Sequence, residues 1–272
     1  MKQHDLKGSK SKKKKQEVQK NKRLKWVAIL MKRYNVLDSI RGITLISMIL
    51  YHAVWDLVYI FEQNWKWYQS DAGYVWQQSI CWIFILLSGF CWSLGKRKWK
   101  RGLMVFSGGA VITAVTVLFM PENQVIFGVL TLIGSCTFMM IPLEKLLRKW
   151  NALVGFIGSI CLFLFSRNVN EGYLGFEGWN IVKLPALLYS NLITTYLGFP
   201  ETEFFSTDYF SIFPWIFLYI TGYFLYRFLK EKSWMKWMEF KGLPPIEWLG
   251  RHSFEIYMLH QPLLFFGLNV LF

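Results

Sequence analysis

Arg41 and His52 lie on one apolar run with ten residues between them, and Asp56 follows His52 by four positions. A guanidinium reads phosphate through paired hydrogen bonds. A neutral imidazole can take a proton from a hydroxyl or amine, or carry a group as a covalent relay. A carboxylate one turn away can fix the imidazole's tautomer. The run Ile43–Ile60 reads as a membrane-spanning helix, and ionisable groups at that depth are costly and mark function by default. Eleven helical steps are close to three turns, so Arg41 and His52 share a face, roughly 16 Å apart along the axis, with Asp56 on the same stripe. The competing readings are structural: Arg41 snorkelling to headgroups and His52 bonded between helices for packing.

Those residues need a membrane-embedded scaffold. The chain has 272 residues, 54% hydrophobic and 19% aromatic, too apolar for an ordinary soluble domain. Apolar segments at about 38–60, 77–95, 102–120, 125–143, 151–166, 210–229 and 253–272 predict an all-α integral membrane protein of about seven spans. Loop charge alternates between them. Lys96, Arg97, Lys98, Lys100 and Arg101 fall in one loop, Lys145, Arg148 and Lys149 in another, and Lys230, Lys232, Lys236, Lys241 and Arg251 in a third. The intervening loops are poor in base. The positive-inside rule then predicts a cytoplasmic N-terminus and an external C-terminus in the cell membrane. The long loop 167–209 falls outside, and its stretch LPALLYSNLITTYLGF predicts a short interfacial or re-entrant helix.

Net charge is +14, and thirteen of the 31 Lys and Arg lie in residues 1–33. That segment, with its KGSKSKKKK, reads as a disordered cytoplasmic tail that sets topology and attracts anionic lipid in preference to nucleic acid. The first long apolar segment is too long for a signal peptide and lacks a cleavage site after it. Residues 34–272 form the membrane domain. Cys81, Cys91, Cys136 and Cys161 lie inside apolar segments with no CxxC or Cys/His spacing, so no disulfide, metal or catalytic role is assigned to them. Gly108-Gly109 and Gly155/Gly158 suit close helix packing.

Four motifs carry a family resemblance. LDSIRGITLISMILYHAVWD resembles the first helix of the transmembrane acyltransferase superfamily, with its Arg-x10-His motif. LGRHSFEIYMLHQP (Leu249–Pro262) resembles that superfamily's late helix. FGVLTLIG (Phe127–Gly134) and DYFSIFPW (Asp208–Trp215) are similar to the bacterial proteins with a heparan-alpha-glucosaminide N-acetyltransferase-like catalytic domain. The resemblance runs from about Tyr34 to the C-terminus. It departs from the namesake enzymes in two places. They carry an asparagine where His52 stands, and a histidine in the first external loop, which here (EQNWKWYQSDAG) has none. Thr131 also stands where many bacterial relatives have histidine.

The resemblance implies an acyltransferase that takes an acyl group, most simply acetyl, from cytoplasmic acyl-CoA. The acceptor is a hydroxyl or amino group of a glycan or lipid-linked sugar. His52 is then the base or acyl relay, Asp56 its orienting partner, and His260 a second histidine completing the polar cavity. Arg41, Arg97 and Lys98 meet the coenzyme's phosphates. Ser253 and Tyr257, on one face of the last helix with His260, and Asp208 and Trp215, where the external loop re-enters the membrane, border the acceptor. Glu255 is expected to pair with Arg251. No metal is called for, and a homo-oligomer is compatible with the sequence. The rival function is a small proton-coupled transporter, since intramembrane His and Asp also mark proton relays, although the internal repeats of such carriers are not apparent.

Overall fold

The apolar run that carries Arg41 and His52 is a single helix, α1, Asn35–Tyr59, in a computed structural model that describes residues 34–271. The basic tail of residues 1–33 lies outside the described residues. Six further long helices follow: α2 Asp71–Trp92, α3 Lys98–Phe119, α4 Val129–Leu147, α5 Ala152–Phe165, α7 Trp215–Glu231 and α9 Ser253–Leu271. Each overlaps one of the predicted spans. By length and composition α1 to α4 can cross a membrane. α5 and α7 are shorter, at 14 and 17 residues, and α9 carries His260, Gln261 and Pro262 in its interior.

Close packing is achieved where glycines let backbones meet. Between α2 and α7 the arrangement is reciprocal. A Cβ at Gly89 would lie 1.9 Å from the Tyr219 carbonyl oxygen, and one at Gly222 would lie 2.1 Å from the Leu86 carbonyl oxygen. Around this contact sits the main core, with Ile85, Met140, Phe163, Ile212, Tyr219 and Phe224 all buried. α5 joins it by bringing Gly155 against the Phe224 ring. α3 is different: its only buried residues are Gly102, Gly108 and Gly109.

Two elements lie outside the predicted spans, and the first corrects the all-α expectation. Tyr173–Phe176 (β1) and Trp179–Lys183 (β2) form an antiparallel hairpin in the long loop. Its turn residues, Glu177 and Gly178, have φ of 38° and 80°, the left-handed values that a tight two-residue hairpin turn needs. The predicted short helix in the same loop is present as α6, Leu192–Leu197, closed at its start by a capping box from Asn191 and Thr194. The second unforeseen element is α8, Pro244–Arg251, which packs along the start of α1. Here the glycine contact is again reciprocal. A Cβ at Gly42 would lie 2.1 Å from the Ile246 carbonyl oxygen, and one at Gly250 would lie 1.8 Å from the Asp38 carbonyl oxygen.

Candidate active site

Pro262 breaks the regular pattern of α9 just after His260 and Gln261, and both polar side chains turn toward α1. The His52 and His260 rings face each other with centroids 4.9 Å apart. His260 is buried, and its Nδ1 lies 2.6 Å from the Tyr257 carbonyl oxygen. A carbonyl can only accept, so Nδ1 carries the proton of the neutral ring and Nε2 holds the free lone pair. That Nε2 is buried with no partner among the described residues.

Gln261 completes the arrangement. Its Nε2 donates to Asp56 Oδ1 at 2.6 Å, across 205 residues of sequence. Its Oε1, like His260 Nε2, is buried and unpaired. The expectation that Asp56 holds His52 is therefore corrected: the fully buried Asp56 carboxylate is bonded to the Gln261 amide. Helical spacing puts Asp56 beside His52, but the donor that reaches its carboxylate is the amide from the facing helix.

His52, His260 and Gln261 open onto a cavity of about 430 Å³. This is within the range of small-molecule sites. Tyr257 and Asp208 also line it, with Val111, Ile112, Val115 and Phe265 among its apolar walls. A second, smaller space of about 40 Å³ lies behind His52, between α1 and α2, and Asp208, Tyr257 and Cys81 reach it. Cys81 was given no role from sequence, and only the fold brings it near the site.

Asp208 joins two motifs distant in sequence. Its Oδ2 accepts from the Val129 backbone N–H at 3.4 Å, at the N-terminus of α4. A carboxylate is favourable there. Alongside, Phe210 N–H donates to the Phe127 carbonyl and Thr207 N–H to the Gln124 carbonyl. So the residues leading into α4 are bonded to the start of DYFSIFPW, and together they seat one acid at the cavity wall. Burial pushes the Asp208 carboxyl up to about 6, against the pull of the Val129 N–H. Thr131 packs against Gly109, where a Cβ on the glycine would meet its Oγ1 at 2.4 Å.

The remaining predicted residues fall elsewhere. Arg41 Nη1 donates to Asp38 Oδ1 at 3.3 Å, and Nη2 donates to Cys91 Sγ. Lys98 pairs with Glu144 at 3.3 Å and lies over the Trp92 ring. Arg97 is exposed at the start of α3. None of the three lines either cavity that His52 reaches. Trp215 is buried in the core against Phe163 and Phe210, with the Arg167 guanidinium 5.0 Å from its ring. Ser253 starts α9 and lines neither cavity. Arg251 pairs with Glu247 at 2.8 Å and approaches Asp38 at 3.7 Å, where a pair with Glu255 was expected. No group of three His, Cys, Asp or Glu side chains able to hold a metal occurs among the described residues.

An apolar cavity within a helical membrane scaffold, with a histidine pair on its wall, is a candidate site for moving a proton. Residues 33–262 match the family described as Heparan-alpha-glucosaminide N-acetyltransferase, catalytic, and the chain belongs to that family. Membership implies a membrane acetyltransferase. No curated protein and no solved structure matches the chain.

Proposed function

We propose that this protein transfers an acetyl group from acetyl-CoA to a hydroxyl or amino group of a glycan or lipid-linked sugar, with the His52–His260 pair handling the proton. The observation that carries the reading is the unpaired, buried Nε2 of His260, set against a tautomer fixed by the Tyr257 carbonyl. The acceptor's O–H or N–H donates to that nitrogen, and its proton moves there as oxygen or nitrogen attacks the thioester carbonyl carbon. The carbon–sulfur bond then breaks, and the departing thiolate takes a proton back from the histidine pair. Asp56 acts one step removed, through Gln261, whose free Oε1 offers the acceptor a second hydrogen bond. Tyr257 and Asp208 border the acceptor.

Seven spans, with the N-terminus cytoplasmic and loop 167–209 external, put the basic ends of α1 and α3 on the coenzyme's side. There Arg97 is free in water to meet phosphate, whereas Arg41 and Lys98 would share their existing carboxylate partners. The test is single-turnover transfer from labelled acetyl-CoA to a panel of envelope glycans by wild type, His52→Ala and His260→Ala. Loss of transfer in His260→Ala with the protein still folded is expected. Near-normal transfer in that variant would remove His260 as the base. Loss in both variants would mean that the two rings act as a unit.

A further inference from the structure

We infer that the acceptor carries a hydrocarbon chain and reaches the histidines sideways from the bilayer, between α3 and α9. The chemistry of the head group rests on the acyltransferase reading above. The route does not.

The cavity sets a few polar groups, His52, His260, Gln261 and Asp208, among apolar walls that include Val111, Val115 and Phe265. Those three are 52%, 48% and 40% exposed, so the apolar wall of α3 and α9 is where the cavity meets the surface. Their helices are the ones that bound the opening. At Gly108 α3 touches α9, where a Cβ would lie 3.0 Å from the Phe254 ring. Beyond that pinch the two helices part around the cavity. Among α1 to α4, α3 is the most peripheral: 17% of its apolar window is buried, against 50% for α4. A mouth walled by such a helix faces lipid.

Charge narrows the occupant. Among the described residues no Lys or Arg lines the cavity, and Asp208 is its only carboxylate. A phosphate-bearing coenzyme would find no counter-charge there, and a free sugar would leave its hydroxyls against valines and phenylalanine. A neutral alkyl chain matches the wall. It lets the attached amine or hydroxyl meet His260 Nε2 and Gln261 Oε1, both buried without a partner among the described residues.

The experiment uses the full chain in lipid nanodiscs. Labelled acetyl-CoA is offered with glucosamine, octyl glucosaminide or dodecyl glucosaminide. Each buried methylene is worth about fourfold in binding, so kcat/KM is expected to rise at least tenfold from glucosamine to the dodecyl compound. Val115→Trp, which fills the opening, is expected to shrink that ratio at least tenfold. A preference for palmitoyl-CoA over acetyl-CoA, with no effect of the acceptor's chain, would overturn the inference by assigning the cavity to the donor. A dodecyl glucosaminide with a terminal diazirine gives a second readout that needs no turnover. Crosslinks to α3 near Val111–Val115 or to α9 near Phe265 are expected, and crosslinks elsewhere would overturn the route. Crosslinks at these positions without acetyl transfer would leave the route standing and sink the acetyltransferase reading.

Discussion

The two ends of α1 solve the problem of polar groups in a membrane helix in opposite ways. At the Arg41 end the charged groups are paired. Asp38 meets both Arg41 and Arg251, and Glu247 takes Arg251 and the Gly242 N–H at 2.8 Å each. Reciprocal glycines close the backbones of α1 and α8 over these charges. At the His52 end the helices part, and buried acceptors stay without donors. Satisfied polar groups rigidify a structure, whereas unsatisfied ones cost stability and persist where a ligand completes them. One end of α1 is therefore a clamp, and the other the candidate site.

The sharpest way to break this contrast is to strike each end and ask which property falls. His260→Ala is expected to lower transfer by about 10²–10⁴-fold, the share of a general base. Thermal stability in detergent should stay near that of wild type, because the change removes an unpaired buried nitrogen. A large fall in melting temperature with activity retained would reverse the roles of the two ends. At the clamp, Glu247→Ala is expected to destabilise by about 2–4 kcal/mol, somewhat below a fully enclosed pair because Arg251 is 31% exposed. Denaturant titration reads this, and the turnover of the folded fraction should be preserved.

A subtler probe is pH. The folded Asp208 carboxyl titrates at about 6, above its unfolded value near 3.8. The fold thus prefers the protonated form. The cost of ionisation is absent below about pH 4, grows between 4 and 6, and is complete above 6. Asp208→Asn is expected to gain stability over wild type across that window, by about 1–2 kcal/mol since the side chain borders a cavity. A constant difference from pH 4 to 7 would show that Asp208 is ionised throughout. The smallest effect is expected for Arg41→Lys, which loses the planar fork between Asp38 and Cys91 and about 1 kcal/mol of stability. Calorimetry with acetyl-CoA separates the clamp from a phosphate site: a weakened affinity gives Arg41 a share in coenzyme binding, and an unchanged one confines it to the clamp.

Much of this was legible along single helices. The Arg41–His52 spacing, the apolar runs and the shared face of Tyr257 and His260 follow from a 3.6-residue period, and each falls within a helix. What joins helices left no such trace. The Gln261–Asp56 bond links residues that no period relates. The Asp208–Val129 contact unites two motifs that resemblance alone had flagged. α8 has only eight residues and follows two prolines' worth of turn signal, Pro244-Pro245, so sequence reads it as loop. Trp215 sits beside a site motif in sequence, yet its bulk is taken by the core.

The glycine seam of α3 has an evolutionary consequence. Gly102, Gly108 and Gly109 meet the ring of Phe138, the ring of Phe254 and the backbone of Thr131. Val111 and Val115 follow Gly108 by one and two turns on the same face, where the helix lines the cavity and is no longer buried in the core. They can therefore be exchanged for larger or smaller residues at little cost to folding, while α1 and α9 keep the two histidines in register. Substrate range in this protein can drift through ordinary point substitutions on one helix, with no need to re-evolve the chemistry.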